Sequence, residues 1–379
     1  MPKRMITECS SLYTIVLSSR KTTMKPSNPI RFLSLSAILI LTFAYTFWET
    51  SFTPLMDMGA DTYLGYTGGL YPNGMNTAPP LHTSTGTLRA LNIQPLNPEG
   101  VPDPNGKYVL LSIGMSNTTQ EFCGNNPDGV TCNSWTFMGQ AAANSLVDHT
   151  HLMIVNGAAG GQVAWAWDTP EEANYDRIRD EIFPPLGLSE KQVQGVWVKV
   201  ANPNPDTSLP AIHADAYLLM AQMGNIVRAL KVRYPNLQQV FLSSRVYAGY
   251  ANTNLNPEPY AYESGFAVKW LIEAQINQMS GGGIDPMAGD LNYHTVAPWL
   301  AWGPYLWADG TNPRSDGLTW ELADFESDGT HPSQSGEMKV GMLLLDFFLN
   351  SPQTSCWFRA DMVCEGNLIY LPLVISNNN

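Results

Sequence analysis

From residue 107 onward, short unbroken apolar runs alternate with longer stretches of helical periodicity, and this alternation constrains the fold of the 379-residue chain more than any other feature. Residues 108–113 (YVLLSI), 151–155 (HLMIV), 193–201 (VQGVWVKVA) and 240–244 (VFLSS) have the length and composition of strands. Helical spacing marks residues 135–147, 211–234, 260–279 and 334–349; in the second of these, Leu218, Leu219, Met223, Ile226, Val227 and Leu230 recur at helical spacing. Strands that are apolar throughout must be covered on both faces, and strands separated by helices run parallel. The expectation is an α/β protein, a three-layer α/β/α sandwich with a central mostly parallel sheet. A hydrophobic content of 44% against 14% charged residues supplies a core large enough for it.

In such a sheet, ligands bind beyond the carboxyl ends of the strands, so the polar residues just after each strand are the candidates for chemistry. After the first strand comes Gly114-Met115-Ser116-Asn117. A serine in a tight turn between strand and helix presents its hydroxyl at the sheet end, where a nucleophile is needed. After the second comes Asn156-Gly157-Ala158-Ala159-Gly160-Gly161-Gln162, followed by Trp165 and Trp167. So many small residues allow a close backbone approach and leave amides free to bind an oxyanion. The third strand ends in Ala201-Asn202-Pro203-Asn204, where an Asn amide is placed to donate. Just before the last helical stretch lies Ser327-Asp328-Gly329-Thr330-His331-Pro332. An Asp and a His three apart can meet around a turn, the carboxylate orienting the imidazole.

These blocks, in this order, resemble those of the SGNH hydrolases. Gly114–Asn117 (GMSN) is similar to the first block of that superfamily, nearest the Gly-Gln-Ser-Asn form of the carbohydrate acetylesterase and sialate O-acetylesterase branch. Gly160-Gly161-Gln162 running on to Trp167 looks like the branch's second block, and Asp328-Gly329-Thr330-His331-Pro332 matches the Asp-x-x-His-Pro block. The resemblance spans roughly residues 107–350. The third block departs from the family's Gly-x-Asn-Asp or Gln-Gly-Glu-Ser-Asp; Asn202 is the nearest match and Asn204 the second. What the resemblance implies is a flavodoxin-like SGNH fold and a serine esterase in which Ser116 attacks, His331 takes its proton and Asp328 orients the imidazole. The oxyanion would be held by Ser116, Gly160, Gly161 and Asn202, with Asn117, Gln162 and Trp167 on the substrate side. The aromatic stretch 298–320 adds Trp302 as a sugar-binding candidate. The implied substrate is an O-acylated, above all O-acetylated, carbohydrate, with no metal or organic cofactor. A lipid or small-ester hydrolase and a non-catalytic glycan-binding surface protein are the alternatives.

The flanking segments suggest export. Residues 32–48 form an uncharged apolar run of about seventeen residues behind Lys25 and Arg31, the layout of a signal peptide or membrane anchor across residues 24–50. Met24 would open a shorter chain of signal-peptide proportions, leaving 1–23 as a mis-set start. Residues 51–106, rich in Pro, Gly, Asn and Thr, read as a linker; 107–352 is the hydrolase domain, and 353–379 a C-terminal segment closed by a disulfide. Cys123 and Cys132 are nine apart and Cys356 and Cys364 eight apart, spacing that suits two short-loop disulfides in a secreted or surface-anchored protein. Neither pair has Cys-x-x-Cys spacing for a metal. The net charge of -13 becomes more acidic still once residues 1–31, with six basic groups against Glu8, are set aside, which disfavours nucleic acid as a partner.

Overall fold

A computed structural model describes residues 52–364, except 125 and 127. The expected signal or anchor segment and the tail beyond Cys364 lie outside the described residues. Five strands form one parallel sheet: β1 (Tyr108–Gly114), β2 (Leu152–Asn156), β3 (Val193–Lys199), β4 (Gln239–Leu242) and β5 (Trp299–Trp302), in the order β2-β1-β3-β4-β5. Every residue of β1 and of β3 is buried, as central strands covered on both faces require.

Alternate side chains feed two separate cores. Val109, Leu111 and Ile113 of β1, with Val196 and Val198 of β3, face α4 (Asp215–Arg233) and α5 (Tyr260–Met279), where Ile226, Val227, Phe266 and Leu271 join the same apolar cluster. Leu110 and Trp197 point the other way, into a cluster with Phe122 of α2 (Ser116–Phe122), Phe137 of α3 (Phe137–Ala143) and Phe348 of α6 (Gln334–Asn350). The result is the three-layer α/β/α sandwich.

Two expectations need correction. Trp302, the sugar-binding candidate of the stretch 298–320, lies in the core, because that stretch supplies β5 and buried aromatics: Trp299, Trp302, Tyr305, Trp307 and Trp320 are at most 4% exposed. Residues 52–106 do not form a free linker. Leu55, Met58 and Tyr71 are buried in the core, and α1 (Pro80–Ala90), whose start is fixed by Pro79-Pro80, docks on β5 through His82 Nε2 at 2.7 Å from Leu300 O. Here Pro and Gly punctuate short packed elements. Cys123 is joined to Cys132 and Cys356 to Cys364.

The chain leaves β1 for β2 on one side and returns to β3 on the other. The crevice beyond the carboxyl ends of β1 and β3 is therefore the topological switch point, where ligands of such sheets bind.

Candidate active site

Gly114, the last residue of β1, pairs with Lys199, the last of β3. A Cβ on Gly114 would lie 2.2 Å from Lys199 O, so only glycine lets the two strand ends come this close. The chain then turns into α2 with Ser116 as its first residue. Two neighbours fix this turn: Thr118 Oγ1 donates to Lys199 O at 2.6 Å, and Asn156 Nδ2, at the end of β2, donates to Thr119 Oγ1 at 2.6 Å. Beneath α2, Glu121 and Lys199 form an ion pair with both side chains wholly buried. Burial works against each charge and the partner offsets it only in part, leaving the Glu121 carboxyl raised and the Lys199 ammonium lowered; removing either one alone leaves an uncompensated charge, at a cost of roughly 3–5 kcal/mol.

The second half of the site is a loop stapled at its base, where Glu326 N donates to His331 O at 2.8 Å and Ser333 N to Asp324 O at 2.9 Å. Its tip is docked by Asn252 N donating to Asp328 O at 3.0 Å. Gly329 has φ +64°, and a Cβ there would fall 1.9 Å from Tyr250 O, so the turn that folds His331 back onto Asp328 requires glycine.

The two halves meet. His331 Nε2 lies 2.9 Å from Ser116 Oγ, and His331 Nδ1 lies 2.5 Å from Asp328 Oδ2. With Nδ1–H donating to the carboxylate, Nε2 is left to accept the serine proton. The other carboxylate oxygen, Asp328 Oδ1, accepts from the amides of Thr330 at 2.9 Å and His331 at 3.0 Å. Partial burial alone would push this carboxyl up, but the imidazole and the two amides together hold it below the usual carboxylate range.

A cleft of about 280 Å³ opens over Ser116 and His331, bounded by Gly161, Asn202, Arg245 and Asn256 among others. Asn202, the expected side-chain oxyanion donor, borders this cleft. Its Nδ2 donates to Gln222 Oε1 at 2.5 Å, while its Oδ1 is buried without a partner among the described residues. Turning both amides over keeps their mutual bond and exchanges the unpartnered oxygen for an NH2 donor. Asn204, the second choice, is exposed and does not border the cleft.

Other expected residues are placed differently. Asn117 borders the cleft, but its Nδ2 donates to Thr330 O at 2.8 Å, tying the serine turn to the histidine loop. Gln162 accepts from Asn174 Nδ2 at 2.7 Å, and Trp167, fully buried, donates to Gln162 O at 3.1 Å; both brace the glycine loop from behind. Gly160 is not among the residues bordering the cleft, and neither is Trp302, whose indole donates to Leu70 O at 2.6 Å within the core. The aromatic that does border it is Trp165, 56% exposed. Arg245 and Asn256 were not anticipated, although Arg245 follows β4 by three residues and the same search beyond strand ends leads to it.

No family model and no curated protein matches the chain. Among solved structures, a carbohydrate esterase family 2 enzyme with a carbohydrate-binding domain from Corynascus thermopiles (Myceliophthora fergusii) is similar at 15% identity and TM-score 0.34, over 64% of this chain and 66% of that one. A protein described as an acylhydrolase from Bacteroides fragilis is similar at 15% identity and TM-score 0.36, over 69% and 93%. A carbohydrate acetylesterase from Sinorhizobium meliloti is similar at 16% identity and TM-score 0.31, over 63% and 97%. Likenesses this distant assign no activity; the chemistry is read from the site itself.

Proposed function

We propose that this chain is a serine esterase of the SGNH kind that hydrolyses short O-acyl esters, O-acetyl above all, on a carbohydrate. The observation that carries the reading is the continuous relay from Ser116 Oγ through His331 to Asp328 at the mouth of a cleft. Ser116 Oγ attacks the ester carbonyl as His331 Nε2 takes its proton, and Asp328 steadies the imidazolium. The tetrahedral oxyanion is held by the amides of Ser116 and Gly161 and by the Asn202 side chain. Collapse expels the alcohol, which receives its proton from His331 and leaves an acyl-serine. Water then repeats the sequence and releases the acid.

The size of the cleft supports a small acyl group: about 280 Å³ is near the low end for ligand pockets and leaves little room for a long lipid chain. Its lining is largely apolar, with Met115, Val163, Trp165 and Leu255, and takes its polar groups from Asn117, Asn202, Asn256 and Arg245. Two disulfides suit an oxidising compartment outside the cytoplasm, which is where a polysaccharide-directed esterase would work. The test is a panel of acetyl, butyryl and octanoyl esters beside acetylated xylan, run with the wild type and Ser116→Ala. Release of acetate from the glycan, falling sharply with acyl length on the small esters and lost in the variant, is the expected outcome. Glycan binding with no ester turnover would replace the proposal by a non-catalytic role.

A further inference from the structure

Trp270, Glu273 and Asn277 recur along one side of α5 and line an open groove. The groove has two lobes, of about 690 and 600 Å³, which share these three residues and Tyr66. None of its lining residues borders the cleft over Ser116. A short hairpin of Thr62–Tyr63 and Tyr66–Thr67 supplies Tyr66, and the start of α4 supplies Tyr217. Three half-buried rings meet here. Trp270 stacks on Tyr217 with centroids 5.0 Å apart, Tyr66 packs against Trp270 at 5.2 Å, and the Tyr66 and Tyr217 hydroxyls bond each other at 2.7 Å. Ile284 and Met287, 56% and 40% exposed, extend the apolar wall, so this aromatic surface is not closed off as a core would be. Lys269 sets the arrangement in place: its buried ammonium donates to Thr67 O at 3.1 Å and Gly68 O at 2.9 Å, docking the hairpin on α5, and lies 3.0 Å from Glu273 Oε1.

The charges of the groove nearly cancel. Lys269 offsets Glu273, Asp285 accepts the amides of Met287 at 2.8 Å and Ala288 at 2.9 Å, and no other charged residue lines either lobe among the described residues. A polyanion finds no unspent cation there, and a strongly basic segment finds one carboxylate beyond the pair. A hydrocarbon would cover the rings but strip water from Glu273, Asn73 and Asn277 without replacing its hydrogen bonds. A sugar residue answers both parts, because its C–H faces cover aromatic rings while its hydroxyls bond carboxylates and amides. Each lobe alone is as large as an ordinary small-molecule pocket, so the two together suit a chain of several sugars. We propose that Tyr66, Tyr217 and Trp270 form a second binding site, separate from the catalytic cleft, that grips an uncharged stretch of polysaccharide. The site does no chemistry and goes beyond the esterase reading. Its place gives it a use: the start of α4, which carries Tyr217, also lines through Ala216 and Leu219 a small hollow shared with Asn202 and Asn256 of the cleft. A polymer held in the groove is kept beside the catalytic cleft between turnovers.

Binding is read by calorimetry on Ser116→Ala with xylohexaose, cellohexaose and mannohexaose, and with polygalacturonate as the anionic control. At least one neutral hexasaccharide should bind, and the polyanion should not. Adding Trp270→Ala or Tyr217→Ala should weaken that binding at least about tenfold. With Ser116 restored, the same replacements should leave p-nitrophenyl acetate hydrolysis within about twofold of wild type and raise KM for acetylated xylan severalfold. Hydrogen exchange needs no variant of the groove: the bound hexasaccharide should slow exchange in residues 62–73 and 265–287. Binding unchanged in folded Trp270→Ala and Tyr217→Ala, protection confined to residues 114–117 and 160–165, or no binding of any of the three sugars would overturn the site. So would a wild-type dimer that Trp270→Ala dissociates, which would give the groove to a second copy of the chain. Because binding is measured on Ser116→Ala, a lack of ester turnover in the wild type would remove the esterase reading and leave this result standing.

Discussion

Ser116 and His331, 215 residues apart in the chain, approach to 2.9 Å because the sheet carries one to the end of β1 and a stapled loop before α6 carries the other to the same edge. Neither element alone makes a site. The bond from Asn117 Nδ2 to Thr330 O ties the serine turn to the histidine loop.

The carboxylate of Asp328 has two separable duties. It accepts two amides that shape the turn, and it fixes the tautomer of His331. Asp328→Asn keeps an acceptor for the turn but loses the charge and the tautomer preference. It should fold normally and lose on the order of 10⁴ in kcat, as such replacements do in other Ser-His-Asp sites. Steady-state kinetics beside a thermal melt separate the two duties; a variant within tenfold of wild type would contradict this role.

The Asn202 side chain is assigned to the transition state rather than to ground-state binding. Asn202→Ala should therefore lower kcat by about 10²–10³ while leaving KM within a few-fold. Gln222, which holds the amide in place, should show a milder loss when changed to Ala. A rise in KM with unchanged kcat would move Asn202 to substrate binding.

At Gly329 the backbone leaves no space. Gly329→Ala places a methyl group 1.9 Å from Tyr250 O at a φ of +64°, so the loop must shift. The left-handed conformation alone costs about 1–2 kcal/mol for a residue with a Cβ. The variant should melt at a lower temperature and lose most of its activity, since His331 rides on the same turn. Unaltered stability and turnover would show that the loop is not set by this contact.

Stability should also depend on pH through Glu263, which α5 buries against Tyr63 Oη at 3.1 Å and Leu209 N at 3.0 Å. Burial outweighs these bonds and pushes its carboxyl up to about 7. The folded chain then holds a proton that the unfolded chain, with a carboxyl near 4.3, has already released at pH 5–6. The contribution is full below about 4.3 and is lost as pH rises through about 7. The melting temperature should fall between pH 5.5 and 8, and Glu263→Gln should flatten that decline. An unchanged slope in the variant would exclude Glu263 as its source.

Four of the five strands were legible because a strand buried on both faces must be apolar at every position, and runs such as YVLLSI leave few other readings. The fifth, Trp299–Trp302, is only four residues long, and its aromatics among Gly and Pro resemble a binding surface as much as a core. In 52–106 the one long helix, Pro80–Ala90 (PLHTSTGTLRA), has too few apolar residues to show a stripe and the other elements are too short to show a period, so their Pro and Gly suggested a linker. At the site, Ser116, Asp328 and His331 were readable from their place after strands and before a helix. The choice between Trp165 and Trp167 was not. They flank Ala166 at the end of a single 3-10 turn, and the turn's orientation decides which indole is exposed and which is buried. Arg245 escaped notice because a single Arg beyond a strand carries no signal until packing buries it beside the cleft.

The most direct test of the account is covalent labelling with a fluorophosphonate, followed by peptide mass spectrometry. An activated serine in this relay should give one adduct, on Ser116, that disappears in Ser116→Ala and is strongly slowed in Asp328→Asn. Absence of an adduct from folded wild-type protein, or equal labelling of wild type and Ser116→Ala, would contradict it.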